Sequence, residues 1–399
     1  MSSLLRPSLA NNLWKMHVVR LFFWMHFMSS VLVPFFRDWG GISYTQIFTL
    51  NAWFMFCNFL LEVPTGTIAD VFGRRTSLIL GCLAAVVGWL TYSSIPDFRV
   101  FLVGEVLLAT SMTLISGADE ALIYDSLDQL GRRDEAQRIF GRLESAKLAG
   151  IIIGALAGGF IAATFGLRAP MLAQCIPNLI AAATAFSLKE PPRPRATRSL
   201  EAYRRTLGAG LRHLRDHRTL RVLAADMVTA ATLAWLIIWL YQPQLERVGI
   251  GMRYFGLVHG AMCAGQILLL SNIDRVAAFL GSQRRYLFLS AIAPGFAYLA
   301  LGLSNHLPVV VAAIVGAAAF GLSRPAVFMA HMNASIPSEQ RATVLSSISM
   351  LRTLAVAVAN PLAGWLVDWS MQGALITLGI VALVVATVSR VEEAHLVAH

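Results

Sequence analysis

Gly66, Asp70, Gly73, Arg74 and Arg75 share one short polar gap between two long apolar runs. A carboxylate beside two guanidiniums is the chemistry of a clasp, because such groups form charge-assisted, bidentate hydrogen bonds. The glycines allow a tight turn and close approach of neighbouring helices. A second set of residues lies inside the apolar runs: Glu105, Asp119, Asp226, Arg324 and Arg352. An ionisable group within a membrane span costs about 2.5–3.5 kcal/mol, so each is a candidate for function.

On a continuous helix at about 100° per residue, Glu105, Met112, Ser116 and Asp119 share one face, and Asp125 points away. That face is expected to line a cavity. Glu105 and Asp119 are the candidate proton carriers, since a carboxyl in an apolar cavity takes up a proton more readily than one in water. The alternative is that one or both pair with another helix. Asp226 is read as a gating or salt-bridging group. Arg324, beside Pro325, either pairs with an acid of the other half of the chain or holds an anionic group of a solute. Glu62 is read as a structural contact, and His26 and His259 as hydrogen-bonded packing residues. Trp24, Trp53, Trp235 and Trp239 either wall the cavity or pack in the core.

No set of residues points to catalysis. There is no Gly-Lys-Ser/Thr phosphate loop, and no His/Cys set has metal-ligand spacing. Cys57, Cys82, Cys175 and Cys263 all fall in apolar runs and read as packing residues. The expectation is a protein with no cofactor and no metal.

The elements that position these groups follow from composition. Hydrophobic residues make up 57% of the chain and charged residues 14%, and mean hydropathy is +0.64. A soluble domain carries about 25% charged residues, so the solvent here is lipid. Twelve runs approach the roughly 20 apolar residues that a bilayer requires. They lie near 17–37, 43–65, 77–95, 98–126, 143–164, 168–188, 220–242, 253–272, 286–304, 307–332, 342–368 and 372–389. The first run has no small-residue cleavage site after it, so it is expected to remain as a span.

The net charge of +10 is distributed by topology. With the N-terminus inside, Arg37, Arg99, Arg168, Arg247 and Arg253 fall outside, Arg324 and Arg352 fall within spans, and the remaining Lys and Arg fall on the cytoplasmic face. This positive-inside asymmetry orients the chain and replaces any nucleic-acid reading. Both termini are expected in the cytoplasm.

The polar segment near the middle, rich in proline and arginine, divides the chain. The expected organisation is a six-helix bundle over 1–188, a cytoplasmic linker over 189–218 and a second bundle over 219–399. Within the linker, Ser199 to His217 is expected to form a basic amphipathic helix on the inner leaflet. The halves repeat: Asp70 corresponds to Asp274 at an offset of 204, Gln137-Arg138 to Gln340-Arg341 at 203, and Gly159 to Gly364 at 205. Internal duplication of a helical membrane domain underlies alternating access, with the substrate site near the midplane.

The chain resembles the major facilitator superfamily along essentially its whole length. The family's loop motif Gly-x-Leu-Ala-Asp-Arg-x-Gly-Arg-Lys/Arg-x-x-Leu is matched by Gly66, Ala69, Asp70, Gly73, Arg74, Arg75 and Leu78. Ile68 is conservative and Val71 replaces the usual basic residue. Leu188-Lys189-Glu190-Pro191-Pro192 is similar to the usual end of helix six. Ile336 to Ser346 and Asn360-Pro361-Leu362-Ala363-Gly364 are similar to helix eleven. Leu61 to Gly66 and Ser116 to Asp125 resemble a branch of bacterial exporters. Gly154-Ala155-Leu156-Ala157-Gly158-Gly159 stands where proton-driven drug antiporters carry Gly-Pro-x-x-Gly-Gly, so the small residues remain and the proline is lost.

The resemblance implies an all-α membrane protein of twelve helices in two pseudo-symmetric bundles. It implies that Gly66 lets helix two pass close to helix eleven, that Asp70 faces the positive end of helix eleven, and that Arg74 pairs with Asp125 at the end of helix four. The expected function is secondary transport of a small organic solute through the bacterial cytoplasmic membrane by a monomer. Efflux of drug-like compounds against protons is favoured. Proton-coupled uptake of a small anionic or polar solute, with Arg324 and Arg352 as a clamp, is the alternative. A membrane scaffold or sensor is a further alternative, which the intact loop motif argues against.

Overall fold

The computed structural model describes residues 8–192, 212–336 and 338–389, and among these every regular element is helical. Counting one bent pair as a single span, twelve spans among the described residues are long and apolar enough to cross a bilayer. The first, α1, is the bent pair, Leu9–Ser30 and Leu32–Trp39, with 61° between its parts. The others are α2 (Tyr44–Phe72), α3 (Arg74–Tyr92), α4 (Phe98–Gln129), α5 (Arg133–Phe165), α6 (Arg168–Phe186), α7 (Arg218–Arg247), α8 (Met252–Ser271), α9 (Gln283–Leu303), α10 (Leu307–Met329), α11 (Val344–Trp369) and α12 (Met371–Val388). Helices dominate because lipid offers no partner for a free N–H or C=O, so each span must satisfy its own backbone. Large apolar side chains such as Val103, Phe160, Ile176, Phe296 and Val384 are exposed along the spans, as a lipid-facing surface requires.

The chain forms two compact units. The first comprises the described parts of Met1–Ile42, Trp53–Leu200 and Met252–His259. Its core includes an aromatic cluster of Phe35, Phe36, Trp39, Tyr92 and Phe101, with Phe35 stacked on Trp39 at 4.8 Å between centroids. Glycine sets the packing of α1 on α5. Gly150, Gly154 and Gly158, one turn apart on α5, press on the backbone of α1 between Leu21 and Phe27. There α1 is unwound, and the freed N–H of Phe27 donates to Oε1 of the fully buried Gln174 at 2.7 Å. Without the proline, α5 runs as one unbroken α-helix over Ala136–Phe165, with a glycine stripe that a neighbouring backbone occupies.

The second unit comprises Ser43–Ala52 and the described parts of Glu201–Gly251 and Gly260–His399. Its core gathers Leu223, Met227, Tyr286, Phe328, Met332 and Ile348. The first turns of α2 belong here. Asp368 accepts from the N–H groups of Tyr44 at 2.9 Å and Thr45 at 2.7 Å, and Asn360 donates to Asn51 at 2.5 Å. A Cβ on Gly364 would lie 2.8 Å from the carbonyl oxygen of Tyr44. In the first unit, a Cβ on Gly159 would lie 2.8 Å from the carbonyl oxygen of Met252. The two glycines of the repeat thus do the same thing, each admitting the first turn of another helix. This is why the contact units depart from a division at 189–218 over 43–52 and 252–259. Most of the expected amphipathic helix, and the side chains of Gln340 and Arg341, lie outside the described residues.

Candidate functional site

The polar loop between α2 and α3 is built around Gly73. Its φ of 108° is one that L side chains avoid, and a Cβ there would lie 3.0 Å from the Glu190 carboxyl carbon. That carboxylate accepts from the Arg74 N–H at 2.8 Å and the Arg75 N–H at 2.7 Å, occupying the positive end of α3. The Arg74 guanidinium reaches Asp125 and the Ala121 carbonyl, and Arg75 donates to the Phe186 carbonyl at 2.6 Å. One short segment therefore ties α3 to α4 and to the end of α6. Asp70 is half-buried in the last turn of α2, one turn beyond Gly66, and Val71 is exposed.

The expected common face of Glu105, Met112, Ser116 and Asp119 does not form. The fourth span breaks at Ser116 and Gly117, where Gly117 takes a φ of 75°. Ser116 is exposed at the break, and the helical phase restarts beyond it. Asp119 is then buried against Arg20 of α1, with Nη2 to Oδ2 at 2.7 Å and each side chain 9% exposed. The same guanidinium lies 3.3 Å from Glu120 and 3.4 Å from Glu144 of α5, so one cation serves three carboxylates. Glu105 is also buried, but its polar partner is the Tyr92 hydroxyl.

In the second unit, Arg324 of α10 pairs with Asp226 of α7, their side chains 2% and 6% exposed. Arg324 also donates to the Ser290 hydroxyl at 2.9 Å and the Leu287 carbonyl, and lies 4.8 Å from the Phe328 ring centroid. The Ser389 hydroxyl donates to Asp226. The expectation that Arg324 pairs with an acid of the other half is thus corrected, since its acid comes from its own unit. Arg352 is exposed on α11, and no ion pair or hydrogen bond joins it to Arg324 among the described residues. Glu62 is exposed and forms no ion pair among the described residues. The indoles serve packing in part: Trp53 donates to the Leu102 carbonyl at 3.2 Å, and Trp239 is buried near Phe48.

Sequence reasoning missed Arg20, Glu190 and Gln174. Arg20 carried a signal, since it lies inside the first apolar run and is subject to the same cost as the other intramembrane charges. Glu190 and Gln174 carried none, because their partners are 116 and 147 residues away.

A sequence model of the Major Facilitator Superfamily matches residues 17–250. Multidrug resistance protein 2 of Bacillus subtilis (strain 168) is 32% identical over 160 residues, 40% of this chain and 39% of that protein. Tetracycline resistance protein, class C, of Escherichia coli is 26% identical over 129 residues, 32% of this chain and 31% of that protein. The matches therefore span well under half the length of either relative. Among solved structures, the nucleoside transporter NupG aligns with a TM-score of 0.76 at 11% identity, covering 95% of this chain and 98% of the other. A bacterial homolog to the human lysosomal transporter Spinster, inward-facing and unoccupied, aligns with a TM-score of 0.71 at 16% identity, covering 95% of each. These likenesses carry the fold alone. A family match over more than half of a chain folded in this way makes the protein a transporter rather than an enzyme, and a member of the Major Facilitator Superfamily.

Proposed function

We propose that the protein exports amphipathic or drug-like organic compounds across a bacterial cytoplasmic membrane, as a monomer with both termini inside, in exchange for entering protons. The observation that carries this reading is a pair of buried carboxyls in the first unit with contrasting partners: Asp119 on a shared guanidinium and Glu105 on a phenol. The names of the two resistance proteins support the direction of transport.

Protonation of Asp119 would remove the buried counter-charge of Arg20 and leave that cation to Glu120 and Glu144. The tie between α1, α4 and α5 would change with it. A ligand or proton shifts a conformational equilibrium only through such differential contacts. Glu105, which forms no ion pair among the described residues, would be the second proton-carrying carboxyl of the same unit. In the same reading Gly66, Asp70, Gly73, Arg74, Arg75 and Asp125 form the latch that holds one end state, with Glu190 anchoring it. Arg324 is engaged by Asp226 and Ser290, so an anion clamp would first have to break a buried pair; the uptake reading gains no support from it.

Everted membrane vesicles test the proposal. With an acid interior, vesicles carrying the protein should accumulate tetracycline or a lipophilic cationic dye several-fold above vesicles without it, and nigericin should abolish the difference. Failure across a chemically broad panel, with the protein present and folded, would contradict export by proton exchange.

A further inference from the structure

Three hollows adjoin at one end of the second unit, where the first turns of α7 and α9 meet the last turn of α12. They hold about 430, 130 and 500 Å³. The smallest shares Ser389 with the first and Arg284 and Phe288 with the last, so the three form one continuous groove. Charge asymmetry assigns this end to the cytoplasmic leaflet.

The groove has two chemistries. Its wall is apolar and faces outward: Phe288 is 49%, Val384 54% and Val388 66% exposed, values suited to contact with acyl chains. Its rim is cationic, with Arg221, Arg284 and Arg285 all exposed. Arg221 donates to the Arg215 carbonyl and Arg285 to the Leu280 carbonyl, neither of which neutralises charge. Arg284 has no polar partner among the described residues. The one carboxylate among the lining residues, Asp226, is already engaged by Arg324 and Ser389. At the floor of the smallest hollow lies Arg324, 2% exposed, with an Nε that makes no hydrogen bond.

We propose that this groove is a binding site for an anionic phospholipid of the inner leaflet. The phosphodiester would accept from the guanidiniums of Arg284 and Arg285, whose planar donor sets match phosphate oxygens. One acyl chain would lie along Phe288 and the valines of α12. A free phosphate would use the rim and leave the wall uncovered, whereas a phospholipid covers both. The site is independent of which solute the protein moves. It also borders the Asp226–Arg324 pair through Ser389, so its occupant bears on how α7, α9, α10 and α12 are held together.

The test uses the purified, delipidated full chain, with bound lipid counted by native mass spectrometry and thermal unfolding followed in parallel. Phosphatidylglycerol should bind and raise the unfolding temperature, while phosphatidylcholine with the same chains and inorganic phosphate should not. The double variant Arg284→Gln/Arg285→Gln should weaken phosphatidylglycerol binding about tenfold, and Arg284→Lys/Arg285→Lys should retain most of it. Arg132→Gln/Arg133→Gln, at the start of α5, should leave binding unchanged. A photoreactive phosphatidylglycerol should label α9 and α12 in the unaltered protein, a readout that does not depend on any variant folding. Equal binding by the glutamine variant, equal stabilisation by phosphatidylcholine or phosphate, or labelling confined to helices other than α7, α9 and α12 would overturn the proposal.

Discussion

Replacing Gly158 with alanine is expected to abolish recovery of folded protein. The added methyl would overlap the carbonyl oxygen of Phe27, and at Gly154 it would come within 2.5 Å of the His26 nitrogen. Both obstacles are backbone, which cannot swing aside as a flexible side chain can. Moving α1 outward would also break the Gln174 hydrogen bond to Phe27, stranding a donor in a buried setting. Overpacking costs about 1–3 kcal/mol where side chains can yield, and a backbone clash exceeds that. Against a total stability of about 5–15 kcal/mol the loss is decisive. Gly141, on the same helix, has nothing within 4 Å of where an added methyl would sit, so Gly141→Ala should be neutral or gain about 0.5–1 kcal/mol. Size-exclusion profiles and thermal unfolding in detergent check both. A Gly158→Ala protein with an unchanged unfolding temperature would refute the packing of α1 on α5.

The second large effect is at Asp226 and Arg324. Asp226→Asn leaves a buried guanidinium without its counter-charge, and Arg324→Met leaves a buried carboxylate without its cation. Each should destabilise by about 3–5 kcal/mol. The combined Asp226→Asn/Arg324→Met protein should be more stable than either single variant, because no unpaired charge remains. A double-mutant cycle on unfolding temperatures measures that coupling. Arg352→Gln, at an exposed position, should change stability by less than about 1 kcal/mol. Additive losses from the two single variants would show that the pair does not act as a unit.

Much of this architecture was legible in the chain because lipid imposes a simple rule. Each apolar run had to become a helix, and the positions of the spans follow from that alone. The loop from Gly66 to Arg75 was legible because its glycines and charges are local and densely spaced. The fourth span shows where such reading fails. Its hydropathy is continuous through Ser116 and Gly117, so a helical wheel carried across it puts Asp119 on the wrong face. The Ser-Gly pair was the available warning. Distances along the chain explain the other misses. Asp368 serves the start of α2, whose Thr45 and Tyr44 are 323 and 324 residues away, and Arg20 meets Glu120 and Glu144 from 100 and 124 residues away. Periodicity reports which side of a helix is apolar but not which helix stands opposite. For the same reason the acid facing Arg324 could be named only once the fold had placed α7 beside α10.

Proton movement driven by solute tests the central claim most directly. Proteoliposomes loaded with acid and a pH-sensitive dye should become less acid inside when a transported compound is added outside, because each solute entering is exchanged for protons leaving. In Glu105→Gln/Asp119→Asn vesicles the compound should still cross down its gradient while the internal pH stays flat. Solute transport by the unaltered protein with no proton movement, or with protons moving in the same direction as the solute, would contradict the account.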